Sequence, residues 1–160
     1  MSDEKENLLA YRYRLISKMD SDNIMDVWYA VDVELDNAPV IVSKLPKAVL
    51  SSGRVYQQVK AAMIESLKLL HSNIASIRSL HDNAGEPFFI SDFTEGQPLN
   101  RCLDEWGKLT VEEAKALLTP LASAIDYAHG RGVVHCDIRP SNVLVRVDGS
   151  PCLCNFCTTA

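Results

Sequence analysis

His135-Cys136-Asp137-Ile138-Arg139-Pro140-Ser141-Asn142-Val143-Leu144 is the most densely patterned stretch of the chain. It sets an imidazole, a carboxylate, a guanidinium and a carboxamide close together and then turns apolar. Towards the C-terminus, Val143 to Val147 is β-branched and apolar, and Asp148-Gly149 is a hairpin turn signal. Pro151 to Phe156 can be only a short or edge strand, because proline donates no ladder hydrogen bond. Towards the N-terminus, Gly130 to Gly132 stops a helix that begins after Thr110. Thr110 and Glu113 have capping-box spacing, and Leu117, Leu121, Ala124, Ile125 and Ala128 form an apolar stripe. Pro120 removes an interior hydrogen bond and is expected to bend that helix.

The first half reads as strands and one helix. Tyr11 to Lys18, Val27 to Val33 and Pro39 to Leu45 are β-rich, with a tight turn at Asp36-Asn37. Val55, Val59, Met63, Leu67 and Leu70 fall near helical spacing over Gly53 to Leu70. Ile74 to Leu80 and Phe88 to Phe93 read as two further strands around the turn Asp82-Asn83-Ala84-Gly85. Gly96-Gln97-Pro98 reads as a linker and Leu99 to Trp106 as a short helix. The sum is an α+β arrangement: a five-stranded antiparallel sheet with one helix, a linker, then helices and a small hairpin.

Of the 160 residues, 47% are apolar and 23% charged, which fits a globular chain and excludes a disordered one. The net charge of −5, with no block of Lys and Arg, argues against a nucleic-acid surface. There is no signal-peptide pattern and no apolar run long enough to span a bilayer, so the expected compartment is the cytoplasm and no membrane partner is expected. Cys136, Cys152, Cys154 and Cys157 could supply four thiolates, but their spacing is unlike a zinc knuckle; they are read as small apolar residues, and zinc is not expected.

The stretch from His135 to Leu144 resembles the catalytic loop of protein kinases, with its H-R-D run and an Asn five residues after the Asp. Leu121 to Val134 resembles the helix and turn before that loop, and Asn155-Phe156-Cys157 falls at the D-F-G distance. Val27-Trp28-Tyr29-Ala30 resembles the strand after the glycine-rich loop. His71-Ser72-Asn73-Ile74 resembles the turn after the first long helix, and Phe88 to Gly96 the last strand and hinge. The likeness is to a Ser/Thr-type, bacterial-like kinase in degenerate form, ending just after the D-F-G position. It implies a flexible tail at 1–10, a small lobe at 11–93, a hinge at 94–98 and an incomplete helical large lobe at 99–160. The stripe Leu117/Leu121/Ile125 is then expected to lack partners and stand exposed, so that a protein partner or the remaining large-lobe segment is expected to cover it.

The resemblance also assigns site residues. Asp137 matches the general base, and Arg139 stands where a lysine usually lies beside the transferred phosphate. Asn142 and Asn155 match the magnesium positions, yet neither supplies the carboxylate that the ion favours, so magnesium is not expected. Asp20 to Met25 takes the place of the glycine-rich loop and contains no glycine. Ser43 falls at the strand-lysine position; Lys44 can serve only if a bulge re-aims it, with Glu65 as its substitute helix partner. Asp92 and Thr94 match positions whose backbone would meet adenine, which leaves metal-independent ATP binding open. The expected function is a pseudokinase-like regulatory or scaffolding module within a larger protein. The alternatives are an atypical ATP-dependent Ser/Thr kinase with Asp137 as base, and a truncated fragment without independent function.

Overall fold

The computed structural model describes residues 8–19, 25–83 and 85–156. Most of the segment expected to replace the glycine-rich loop (20–24), Cys157 and residues 1–7 of the expected tail lie outside the described residues. The chain forms two compact units, Met1–Gln58 with Ile77–Phe93, and Val59–Ser76 with Thr94–Ala160.

The first unit carries one antiparallel sheet of β1 (Leu8–Leu9), β2 (Tyr13–Lys18), β3 (Asp26–Asp32), β4 (Ala38–Lys44), β5 (Ile77–Asn83) and β6 (Glu86–Asp92), in the order β1-β2-β3-β4-β6-β5. The expected five strands become six, because Leu8–Leu9, assigned to the tail by sequence, pairs with Arg14 and Tyr13. One face buries Tyr13, Ala30, Val40, Val42, Phe88 and Ile90. Tyr13 meets the edges of both His81 and Phe88, whose rings stack 5.1 Å apart.

Two hairpins in this unit use the same kind of turn with unlike residues. Asp36 and Asn37 have φ of 53° and 57° and sit inside a turn closed by Ala38 N–H to Leu35 O. Short polar side chains tolerate that left-handed conformation. Ala10 and Tyr11 adopt the same signs, φ 51° and 58°, with Arg12 N–H bonded to Leu9 O. Tyr11, expected in a strand, is therefore a turn residue. Beside it Arg12 donates from Nε and Nη2 to the two carboxylate oxygens of buried Asp32, at 2.8 and 2.7 Å. The Arg12 guanidinium holds the Asp32 carboxyl below the usual carboxylate range, against the burial that would raise it.

A short helix, α1 (Lys47–Leu50), precedes α2 (Gly53–Ser66), and the boundary between the units falls inside α2. Helix α2 buries Val59, Met63 and Ser66 and ends four residues before the expected Leu70, which is exposed. Ile74, expected to open a strand, instead forms a lone parallel bridge with Leu153, and the strand starts at Ile77.

The second unit holds α3 (Leu99–Trp106), α4 (Val111–His129) and a three-stranded sheet of β7 (Gln97–Pro98), β8 (Val143–Val145) and β9 (Pro151–Leu153). The expected linker thus contains a strand. Gly96 lies so close to β8 that a Cβ there would stand 2.7 Å from the Val145 carbonyl oxygen, so only glycine fits without a shift. Helix α4 carries the predicted capping box, with Thr110 Oγ1 accepting from Glu113 N–H and Thr110 N–H donating to the Glu113 carboxylate. The assigned helix runs on through Pro120.

The α4 stripe is not exposed, contrary to expectation. Leu121, Ala124 and Ala128 are buried with Leu69, Ile74, Val133, Val143, Leu153 and Phe156. Leu117 packs in a second cluster with Cys102 and Val145. The partners come from the chain's own turn at 69–74 and from β8 and β9, which the linear pattern of α4 does not show. The outer side of β9 is closed as well: Leu153 N–H donates to Asn73 O, Ala75 N–H to Leu153 O, and Asn73 Nδ2 to Pro151 O.

Candidate active site

The segment from His135 to Asn142 is held from below by its histidine. His135 is 1% exposed and meets the Phe156 ring edge-on at 4.7 Å. Asp137 N–H donates to His135 Nδ1 at 3.2 Å, so Nδ1 is the bare nitrogen and the proton sits on Nε2. That Nε2–H donates to the Cys154 carbonyl at 2.7 Å. Burial pushes the imidazole below its ordinary pKa, opposed by the Cys154 carbonyl and the Asp137 charge. A neutral, doubly bonded His135 thereby fixes both ends of the loop. Phe156 packs in the core as expected. Its carbonyl, with that of Ala62, faces the Ser66 hydroxyl.

Above the histidine, four expected site residues come together. Asn142 is 1% exposed and opens β8 from a single 3-10 turn over Pro140–Asn142. Its Nδ2 donates to the Asp137 carbonyl and to Asp137 Oδ2, both at 2.8 Å. Those acceptors cannot donate, so the Asn142 amide has one orientation, with Oδ1 turned the other way. Asn155 Nδ2 donates to that Oδ1 at 2.9 Å. Arg139 Nε lies 3.2 Å from Asp137 Oδ2. Asn155 has φ of 65°, a conformation asparagine tolerates; Cys136, also at 65°, has no such excuse and carries real strain.

The other expected residues are placed differently. The β3–β4 and β4–β6 ladders run without a register shift from Ala38 to Lys44. Ser43 therefore shares the face of Ile41, and Lys44 that of Val40 and Val42, since side chains alternate along a strand. No bulge re-aims Lys44. Glu65, in the other unit, accepts from Lys68 Nζ with both carboxylate oxygens at 2.8 Å. Asp92 is ion-paired with Arg78 across β5 and β6. Thr94 Oγ1 lies 4.0 Å from Cys152 Sγ.

The residues at this loop do not fit a magnesium ion. Asn142 and Asn155 are neutral, and the Asn142 oxygen already accepts from Asn155. Among the described residues no group of three His, Cys, Asp or Glu side chains could hold a metal ion. The Cys154 thiol lies 3.7 Å from the Cys152 carbonyl. The Cys154 hydrogen bond and the Arg146 charge bring Cys152 down to about 7 against burial, while Cys154 is raised.

The protein kinase domain model matches residues 36–159, so the chain belongs to the protein kinase domain family. It is 25% identical over 149 residues to the probable serine/threonine-protein kinase PknB of Lactococcus lactis, covering 93% of this chain and 24% of that protein. It is 29% identical over 153 residues to the serine/threonine-protein kinase PknA of Mycobacterium tuberculosis, covering 92% of this chain and 35% of that one. The crystal structure of the Mycobacterium tuberculosis PknI kinase domain superposes with a TM-score of 0.80 at 20% identity, over 92% of this chain and 60% of that domain. The first two are named as serine/threonine-protein kinases, and the last shares the fold. The chain spans about a quarter to a third of the length of the curated relatives it matches.

Sequence reasoning named all four loop residues but missed their wiring. Ser66 was also missed; a serine three residues after Met63 on the buried side of α2 was the available signal. No described helix is long and apolar enough to cross a membrane.

Proposed function

We propose that this kinase domain segment is a pseudokinase-like regulatory or scaffolding module, cytoplasmic and part of a larger protein, that does not transfer phosphoryl groups. One observation carries it: the residue at the D-F-G aspartate position is an asparagine whose side chain is spent on Asn142 rather than offered as charge. Phosphoryl transfer depends on positioning and on metal-borne neutralisation of phosphate charge. With Ser43 at the position where a strand lysine would stand, and with two amides at the metal positions, the strand lysine and the metal are both missing, and Arg139 is the one cation left from the family's set. What supports a retained surface role is the intact loop core, His135, Phe156 and the capped α4, which keeps the kinase shape without the strand lysine or a carboxylate at the metal positions. Its partner would be another protein, or the helical remainder of its own domain. Any nucleotide would bind without metal through backbone groups near Asp92 and Thr94.

The test is transfer from γ-labelled ATP to generic Ser/Thr acceptor proteins, in magnesium or manganese, by the purified chain and by Asp137→Asn. The expected result is equal, background-level incorporation by both. Transfer by the native chain that vanishes in the variant would replace this reading with a second one, an atypical Ser/Thr kinase using Asp137 as base. That second reading draws on the partial exposure of the Asp137 side chain, 38%, with Arg139 beside it.

A further inference from the structure

We infer that Asn155 is a built-in substitute for a bound cation, an amide latch that holds the catalytic-loop fold closed without metal. The inference deepens the pseudokinase reading and rests on it. The chain Asn155–Asn142–Asp137 is donor to acceptor throughout: Asn155 Nδ2 to Asn142 Oδ1 at 2.9 Å, then Asn142 Nδ2 to the Asp137 carbonyl and carboxylate at 2.8 Å. The backbone closes the same loop, with Cys154 N–H donating to Asn142 O at 2.8 Å.

Three oxygen-bearing side chains converge here; the Asn142 N–H donor separates its own amide from Asp137, and the Asn155 N–H donor meets the Asn142 oxygen. Asn142 cannot turn round to help, because its own Nδ2 is committed to two Asp137 acceptors. An aspartate at 155 has the same size and the same tolerance of φ 65°. It would remove the donor and place a carboxylate against the Asn142 oxygen and near the Asp137 charge. Such a cluster of hard oxygens calls for a divalent cation. The native amide makes that cation unnecessary.

Thermal unfolding of the purified chain, in EDTA and in excess magnesium chloride at matched ionic strength, tests this. The native chain is expected to melt at one temperature in both. Asn155→Asp is expected to melt about 3 °C or more lower in EDTA, as loss of roughly one buried hydrogen bond implies. It is expected to regain most of that drop in magnesium. Asn155→Gly suits the same backbone and brings no charge; it is expected to melt lower than the native chain and to ignore magnesium. If Asn155→Asp fails to fold in either condition, the glycine variant decides: equality with the native chain overturns the latch. A native chain stabilised by magnesium as much as Asn155→Asp overturns it too. Either outcome leaves the phosphoryl-transfer assay untouched, so failure of the latch and failure of the pseudokinase reading are separately visible.

Discussion

Asn142 reaches two acceptors on Asp137 with a single amide group, the backbone carbonyl and Oδ2, both at 2.8 Å. The loop that would present a catalytic base is therefore rigid around that base by internal bonding alone. Asn142→Ala should cost about 2 kcal/mol of stability, because it leaves a buried carbonyl and the Asn155 donor without this partner. Urea denaturation checks this through the midpoint, with an unchanged slope expected.

Acidification should weaken the fold through its histidines. Burial lowers the folded-state pKa of His135 from its ordinary 6.5, and burial and the Arg12 charge lower that of His81. A depressed histidine pKa means that the unfolded chain binds protons first. The associated stability is thus complete above about 6.5 and is lost as pH falls through the folded-state values. Unfolding free energy should be lower at pH 5.5 than at pH 7.5. His135→Gln should lower stability at neutral pH and flatten part of that slope, measured by denaturation across the pH range.

The two left-handed turns give an internal comparison. Asp36-Asn37 suits its turn; Ala10-Tyr11 does not, and each left-handed non-glycine residue costs roughly 1–2 kcal/mol. Tyr11 is 84% exposed, so removing its ring sacrifices little packing. Tyr11→Gly should raise stability by about 0.5–1 kcal/mol after the entropy of glycine in the unfolded chain is set against the relieved strain. A rise in melting temperature checks it.

What was legible in the sequence followed from local chemistry. The Thr110–Glu113 cap, the Asp36-Asn37 turn and the β-rich runs of β3 and β4 each need only near neighbours, and each formed. Strands β1 and β7 are two residues long, too short for any periodicity, and exist because a partner strand has open hydrogen bonds. Ile74 looked like strand for an apolar reason and is buried for another, its bridge to Leu153. The burial of the α4 stripe depended on residues 69–74 folding back into the second unit, a contact no linear pattern announces. At the site, residue identities were readable and their charges with them. The direction of the Asn142 amide was not, since it is set by the acceptors that the fold brings to it.

Asn142 and Asn155, neutral amides at the two positions where the family ties magnesium to a nucleotide, bring no negative ligand there. ATP titration of the purified chain in excess magnesium and again in EDTA tests the consequence. Magnesium should add nothing to the affinity, whether or not the nucleotide binds measurably on its own. ATP binding that becomes tighter by about tenfold with magnesium, a difference of roughly 1.4 kcal/mol, would mean that the ion finds its ligands here after all.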